Sequence, residues 1–139
     1  MRAYWHAVRR TARVEYALPR EAVSAGRARE LTTAFLTRPG PRVTAPTVDQ
    51  VDDARLIASE LVANAVRHGR SGCRLRLKVG RGRVTVEVHD DSPGRPRVRT
   101  PDTESESGRG LAMVEKLAHR LEVVSTGVGG KTVRAVLAQ

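Results

Sequence analysis

The chain has 139 residues, of which 40% are hydrophobic and only 3% aromatic, so we expect one domain whose core consists of Val, Leu and Ala. It has no apolar run near the ~20 residues of a membrane span and none of signal-peptide length at its start, which predicts a soluble, cytoplasmic protein without a membrane partner. The net charge of +10 brings nucleic acids into consideration, but the arginines are scattered from Arg2 to Arg134 without a lysine-rich tail, so direct nucleic-acid binding is not expected.

The first half of the chain predicts one strand and two helices, after a basic extension at residues 1–10. Alternation or helical spacing of apolar residues places them at 11–18 for the strand, 21–36 for the first helix and 47 to about 68 for the second. Thr47 is the expected N-cap of the second helix, and Gln50 three residues later completes a capping box. Gly69 is expected to end this helix.

The second half predicts a hairpin of two strands at 73–79 and 84–88, a third helix at 111–121, and two closing strands at 121–125 and 132–137. The segment Gly80-Arg81-Gly82 is the expected hairpin turn. Cys73 is the only cysteine, which excludes an internal disulfide and a multi-cysteine metal site; we expect it to be a buried bystander. Together the elements predict a two-layer α/β sandwich with helices on one face of a mostly antiparallel, mixed sheet, whose strand order the patterns do not give.

The segment 60–69, E-L-V-A-N-A-V-R-H-G, is the strongest indication of a functional site. It spaces Glu60, Asn64 and His68 four residues apart, so the three side chains share one face of the predicted helix. Because the surrounding stripe is apolar, a carboxylate and a carboxamide are held at the edge of the core. This arrangement suggests a site without naming its ligand.

Three polar or glycine-rich segments lie at the predicted ends of elements. They are Asp90-Asp91-Ser92-Pro93-Gly94, Ser107-Gly108-Arg109-Gly110-Leu111 and Gly129-Gly130-Lys131-Thr132. Asp90 ends a strand, where its carboxylate can accept a hydrogen bond from a ligand amine. The glycine pair opens the third predicted helix, where backbone N–H groups and the helix dipole favour phosphate. Taken singly, each segment is more often a turn or a cap than a site.

Taken together with the helix motif, these segments resemble the GHKL ATPase superfamily, whose members share the Bergerat nucleotide-binding fold. The resemblance covers residues 11–138, which we expect to form the ATP-binding domain. It rests on four features: an asparagine motif (Glu60, Asn64 and His68), a first glycine box (Asp90, Ser92 and Gly94), a second glycine box (Gly108 and Gly110) and a closing threonine (Thr132). The small size and the N-A-x-x-H-G ending are most similar to anti-sigma-factor serine kinases and their single-domain actinobacterial relatives.

The resemblance implies ATP and Mg²⁺ as ligands. The amide oxygen of Asn64 would coordinate Mg²⁺. Asp90 would accept the adenine amino group, with Ser92 and Gly94 in the same box, and guanine would be disfavoured because it presents a carbonyl there. Thr132 would reach the adenine side, directly or through water.

The phosphate end of the implied site comes from the second glycine box and the helix motif. Backbone N–H groups of Gly108, Arg109, Gly110 and Leu111 would surround the phosphates, and the Arg109 side chain is either a charge clamp or solvated. His68 contacts phosphate or only ends its helix. Glu60 would accept the proton of the attacking hydroxyl, or only order a hydrogen-bond network.

Three departures from the family pattern affect the implied site. Ser92 replaces a glycine of the first box, and Met113 stands where a third glycine would complete the second. The implied lid, Arg95 to Ser107, is short. These departures predict weak or rapidly exchanging nucleotide, or closure that needs a partner.

The function implied by the resemblance is an ATP-dependent serine kinase that binds a sigma factor and phosphorylates a serine of an anti-anti-sigma antagonist, with homodimerisation expected. The alternative is a non-catalytic switch, in which bound ATP changes affinity for a protein partner. A sensor histidine kinase is disfavoured, because no room for a phosphoacceptor helix pair precedes the ATP domain.

Overall fold

The computed structural model describes residues 11–39, 45–92, 106–125 and 129–138, with the backbone alone at 106–109. The elements in this part of the chain are β1 (Thr11–Leu18), α1 (Val23–Leu36), α2 (Val48–His68), β2 (Cys73–Gly80), β3 (Arg83–Asp90), α3 (Glu106–Leu117), β4 (Arg120–Ser125) and β5 (Lys131–Ala138). The predicted extension at 1–10 lies outside the described residues, as does most of the predicted lid.

The five strands form one sheet in the order β1-β2-β3-β5-β4. Every pairing between the described strands is antiparallel. The predicted two-layer architecture with a mostly antiparallel sheet is thus confirmed, and no parallel pair occurs among these strands. The order places β3 and β5 side by side, so that Asp90 at the end of β3 pairs with Lys131 at the start of β5.

The core lies between the sheet and the helices. Helix α2 packs on β2, β3 and β5, while α1 and α3 flank it. The alternating apolar residues of the three central strands turn toward α2 and are almost wholly buried: Leu75, Leu77, Val79, Val84, Val86, Val88, Val133, Ala135 and Leu137. The intervening residues face away from α2. The position of a residue along its strand therefore decides on which face of the sheet its side chain lies.

The hairpin turn and the start of α2 form as predicted. Arg81 and Gly82 have φ of 53° and 73°, as expected of a two-residue turn whose twist matches the strands. At α2 the Thr47 side chain accepts from Gln50 N–H, and the Gln50 side chain accepts from Thr47 N–H. The same Gln50 amide donates to Gly82 O at 2.9 Å, so the helix cap is also fixed to the hairpin.

Two helix boundaries differ from the predictions. Helix α1 begins at Val23 rather than at 21, because Glu21 forms a turn in which its N–H donates to Pro19 O at 2.9 Å. Helix α3 spans 106–117 rather than 111–121. Its end comes earlier because His119 N–H donates to Val136 O at 2.8 Å, which draws the chain into the sheet.

In the described part of the chain, no helix combines the length and the apolar character needed to cross a membrane.

Candidate functional site

The three polar residues of the α2 motif differ in burial although they share a face of the helix. Asn64 is 4% exposed, Glu60 is half-buried and His68 is exposed at the last turn. Helix α2 continues as a regular helix through all three, and Gly69 follows as its C-cap. Along this face, a partly buried carboxylate is followed one turn later by a buried amide and, after one more turn, by an exposed imidazole at the helix end.

Glu60 lies directly against Gly110 of α3. A Cβ built on Gly110 would clash with Glu60 Oε2, and the next nearest atom is Glu60 Cδ, at 3.1 Å. The space that a side chain at 110 would fill is thus taken by the Glu60 carboxylate. Two predicted site segments, the α2 motif and the second glycine box, meet at this contact.

The second glycine box lies inside α3 rather than before it. Because α3 begins at Glu106, Gly108 and Arg109 belong to its first turn, and Gly110 and Leu111 follow. In an α-helix with this start, the backbone N–H groups of Gly110 and Leu111 point to carbonyls one turn earlier. The donors without helical partners are those at 106–108, and the predicted phosphate contacts of Gly110 and Leu111 stay a prediction. Leu111 instead packs into the core, at 5% exposure.

Two predicted contributions to the site cannot be placed. Gly94 lies outside the described residues, as does the side chain of Arg109.

A second polar cluster lies at the ends of β3 and β5. Asp90 is 3% exposed, and its Oδ1 accepts from Ser92 N–H at 2.7 Å. Lys131, whose side chain is 4% exposed, places Nζ 3.5 Å from Asp90 Oδ2 and donates to Ser92 Oγ. The three side chains form a buried group on the helix-facing side of the sheet.

Thr132 is not part of this cluster, and its predicted contact with the adenine side, directly or through water, stays a prediction. In the β3–β5 register Thr132 pairs with His89, whereas Asp90 pairs with Lys131. The Thr132 hydroxyl lies 2.9 Å from His89 Nδ1 on the outer face of the sheet. Neighbouring residues of a strand point to opposite faces, so the residue beside Asp90 is Lys131.

Lys131 is the site residue that sequence reasoning missed. The sequence indicates its position, because Lys131 stands two, four and six residues before the buried residues Val133, Ala135 and Leu137 of the same strand. The pattern predicts that this lysine faces inward, but its partner becomes evident only from the pairing of β5 with β3.

Two further residues surround Asp90. Cys73, at the start of the neighbouring strand β2, is buried, and burial with the nearby Asp90 charge raises the pKa of its thiol to about 11. Asp91 Oδ1 accepts from Arg70 N–H at 2.9 Å and from Ser71 N–H at 3.3 Å. These hydrogen bonds, with one from the Ser71 hydroxyl, lower the pKa of Asp91. Asp91 therefore ties the end of β3 to the loop that follows α2.

Two groups of described residues have the chemistry to hold different parts of one nucleotide with its Mg²⁺. The Glu60 carboxylate lies against Gly110, just after the first turn of α3, and the buried Asn64 amide follows one turn later on the same face of α2. The unpaired N–H groups at 106–108, at the start of α3, favour phosphate. At the ends of β3 and β5, the buried Asp90 carboxylate can accept from an amine. Helix α2 packs against β3, so the same core supports both places.

Comparison with known proteins finds a matching family and individual relatives. Residues 17–137 match the family described as the histidine kinase-like ATPase domain. An anti-sigma F factor of Clostridium botulinum (strain Eklund 17B / Type B) is 30% identical over 103 residues, which cover 64% of this chain and 71% of that protein. An anti-sigma F factor of Thermoanaerobacter sp. (strain X514) is 27% identical over 101 residues, with the same two coverages, 64% and 71%.

Solved structures share the fold. The RsbU and RsbW domains of Rv1364c from Mycobacterium tuberculosis match 91% of this chain with a TM-score of 0.67 and 22% identity, although this chain spans only 32% of that one. The histidine kinase domain from the Erythrobacter litoralis EL346 blue-light activated histidine kinase matches 86% of this chain and 61% of its own length, with a TM-score of 0.52 and 25% identity. With a family match that covers most of its length, the chain belongs to the histidine kinase-like ATPase domain family.

Proposed function

We propose that this protein is an ATP-dependent serine kinase that binds a sigma factor and phosphorylates a serine of an anti-anti-sigma antagonist. The similarity to anti-sigma F factors supports the class of partner. The observation that supports the kinase activity is the contact between Glu60 and Gly110, because Gly110 lies just after the first turn of α3, whose unpaired N–H groups at 106–108 favour phosphate. The proposal includes residues 11–138 as the ATP-binding domain and a homodimer as the assembly.

The polar residues of α2 and α3 bind the phosphates and Mg²⁺, and the cluster at the ends of β3 and β5 binds the nucleobase. Asn64 offers an amide oxygen to Mg²⁺, and the backbone N–H groups at the start of α3 bind phosphate. Asp90 accepts from the nucleobase. When bound, Mg²⁺ neutralises charge on the phosphates. His68 is exposed in the last turn of α2, where it either contacts phosphate or only ends its helix.

Glu60 is the proposed catalytic residue. Phosphoryl transfer depends mostly on positioning and charge neutralisation, but the attacking serine hydroxyl must lose its proton. A carboxylate beside the phosphate site can accept that proton. Half-burial between α2 and α3 holds Glu60 in place while leaving it accessible to a protein substrate.

The first experiment measures phosphate transfer and nucleotide binding in the same variants. Proteins that co-purify in the presence of ATP identify the sigma factor and the antagonist, and labelled ATP then reports transfer to the antagonist. Glu60→Ala should bind Mg-ATP as the parent does but lose about 10²–10⁴ of the transfer rate, the usual contribution of a general base. Glu115→Ala, an exposed glutamate on α3, is the matched control and should transfer normally.

Two results would contradict the proposal, one its catalytic residue and the other its kinase activity. Normal transfer by Glu60→Ala would remove Glu60 from the chemistry. No transfer by the parent protein to any co-purifying antagonist, together with ATP-dependent affinity for a partner, would establish the non-catalytic switch instead. Asp90→Asn tests the binding site itself: it should weaken ATP binding, and unchanged affinity by calorimetry would exclude Asp90 from the site.

A further inference from the structure

Lys131 places a buried positive charge beside the carboxylate that is proposed to bind the nucleobase. Its side chain is 4% exposed and that of Asp90 is 3% exposed, so both charges are withdrawn from water. Burying such a pair is costly unless the two groups satisfy each other. Here they form an ion pair at the ends of adjacent strands, on the face that carries the proposed site.

The hydrogen-bonding capacity of this pair is only partly used by the described residues. Asp90 Oδ1 accepts from Ser92 N–H, while Oδ2 has the Lys131 ammonium 3.5 Å away. The ammonium carries three donors, one of which is given to Ser92 Oγ. A ligand edge that reaches Asp90 Oδ2 therefore also comes within reach of a donor.

This pairing changes what the site can bind. A carboxylate alone accepts from the 6-amino group of adenine and opposes the 6-oxo group of hypoxanthine or guanine, because two acceptors would face each other. An ammonium next to it donates to a 6-oxo group, while the carboxylate accepts from the adjacent ring N–H. We infer that Lys131 is a specificity-determining residue that lets the site bind 6-oxopurine nucleotides as well as ATP; this inference rests on the proposed nucleotide site.

The ammonium of Lys131 is held in place by Ser92. Ser92 stands in the first glycine box, where the resembling family has glycine, and it is 2% exposed. Its hydroxyl accepts from Lys131, and its N–H donates to Asp90. The serine and the lysine thus act as one unit around Asp90.

Affinities of the unmodified protein for three nucleotides that differ at the 6-position of the purine test the inference. They are ATP, inosine triphosphate and purine riboside triphosphate, whose 6-positions carry an amine, a carbonyl oxygen and hydrogen. With Lys131 as donor, inosine triphosphate binds more tightly than purine riboside triphosphate and within about tenfold of ATP. With Asp90 reading the base alone, the carbonyl is repelled and inosine triphosphate binds more weakly than purine riboside triphosphate, which would overturn the inference.

Two variants assign the effect to Lys131. Lys131→Met keeps the apolar stem and removes the donor, so the ratio of inosine triphosphate to ATP affinity should fall by at least about tenfold. Lys78→Met makes the same change on the outer face of the sheet, and the ratio should stay as in the parent. If Lys131→Met weakens both nucleotides equally, Lys131 only supports the fold of the site and the inference fails.

The outcomes separate this inference from the proposed function. Binding of ATP with exclusion of inosine triphosphate would reject only the role of Lys131. Failure of all three nucleotides to bind would reject the nucleotide site, and the inference with it. Because the three-nucleotide series needs no variant, it decides the question even if Lys131→Met does not fold.

Discussion

At Gly110 the absence of a side chain leaves the space that the Glu60 carboxylate occupies. A glycine within a helix is usually a liability, since it costs about 1 kcal/mol relative to alanine. Here the cost is offset by the approach of α2 to α3 and by the position that the carboxylate takes. The residue is therefore a means of placing Glu60, beyond any part it has in binding phosphate.

Gly110→Ala should separate stability from activity. The added Cβ meets the end of a flexible side chain, so Glu60 can rotate away while the helix gains alanine. We expect the free energy of unfolding to stay within about 1 kcal/mol of the parent, and phosphate transfer to fall as in Glu60→Ala.

Gly26→Ala is the control, because nothing lies within 4 Å of a Cβ at that position of α1. It should raise stability by about 0.5–1 kcal/mol without changing transfer. Denaturant unfolding and the transfer assay together report both effects, and full activity of Gly110→Ala would show that the position of Glu60 is not critical.

Cys73 should be an unreactive thiol at neutral pH. Burial first, and then the Asp90 charge, raise its pKa from 9.0 to about 11. At pH 8 the folded protein therefore has about 100-fold less thiolate than the unfolded chain. Iodoacetamide should alkylate the native protein at least that much more slowly than the protein in urea, and equal rates would contradict the placement of Cys73.

The same pKa sets a pH dependence of stability. Because the folded pKa lies above the unfolded one, the unfolded state releases its thiol proton first as the pH rises. The contribution of Cys73 is complete below pH 9.0 and is lost between 9.0 and about 11. The difference in unfolding free energy between the parent and Cys73→Ala should shift accordingly across this range.

Among the elements, the loop that follows α2 is held to the end of β3 by one exposed carboxylate. Asp91 accepts from the backbone of Arg70 and Ser71, and these hydrogen bonds lower its pKa below 3.8. They fix the end of the α2 motif relative to the end of β3, and so the two polar groups of the proposed site relative to each other. The hydrogen bonds need the charged form of Asp91.

Asp91→Ala should therefore alter the pH profile of stability at the acid end. With a depressed pKa in the fold, Asp91 stabilises the protein above pH 3.8, and this contribution is lost as the pH falls through the lower folded value. Unfolding curves of parent and variant should differ at pH 6 and converge at the most acid pH at which both fold. A constant difference across that range would show that the ionised carboxylate is not what stabilises the loop.

The outer face of the sheet explains part of the excess of arginine. Glu87 is 2% exposed and lies among Arg76 Nη1 at 3.3 Å, Arg134 Nε at 3.1 Å and Lys78 Nζ at 3.6 Å. Each cation turns its charge to the same carboxylate. Several of the basic residues that gave the sequence its charge are therefore used within the sheet.

At the scale of the whole molecule, one core supports every part of the proposed site. Leu77 on β2 is wholly buried between the sheet and the helices. Leu77→Ala should lower the free energy of unfolding by about 2–5 kcal/mol, a large part of the total of about 5–15 kcal/mol for a domain. Val124→Ala, at a position 46% exposed on β4, should change it by less than about 0.5 kcal/mol.

Denaturant unfolding of both variants measures these effects. A small effect of Leu77→Ala would mean that the sheet and helices do not share a single close-packed core. A large effect of Val124→Ala would mean that this valine is covered, for example by a second copy of the chain.

The sequence alone determined the kind and order of the elements, because their formation depends mostly on local chemistry. The capping residues at Thr47 and Gln50 fix the start of α2, the Arg81-Gly82 turn fixes the hairpin, and alternation fixes which residues of each strand are buried. The face shared by Glu60, Asn64 and His68 also follows from helical periodicity. These features need only neighbours within a few residues, so a pattern is sufficient to predict them.

Only the tertiary structure decided which residues meet. The contact of Glu60 with Gly110 joins residues 50 positions apart, and the pair of Asp90 and Lys131 depends on β5 inserting next to β3. A shift of one residue in that pairing would have placed Thr132, and not Lys131, beside Asp90. Register between distant strands is set by packing of the whole core, and for that reason the lysine at the proposed base site became visible only in the fold.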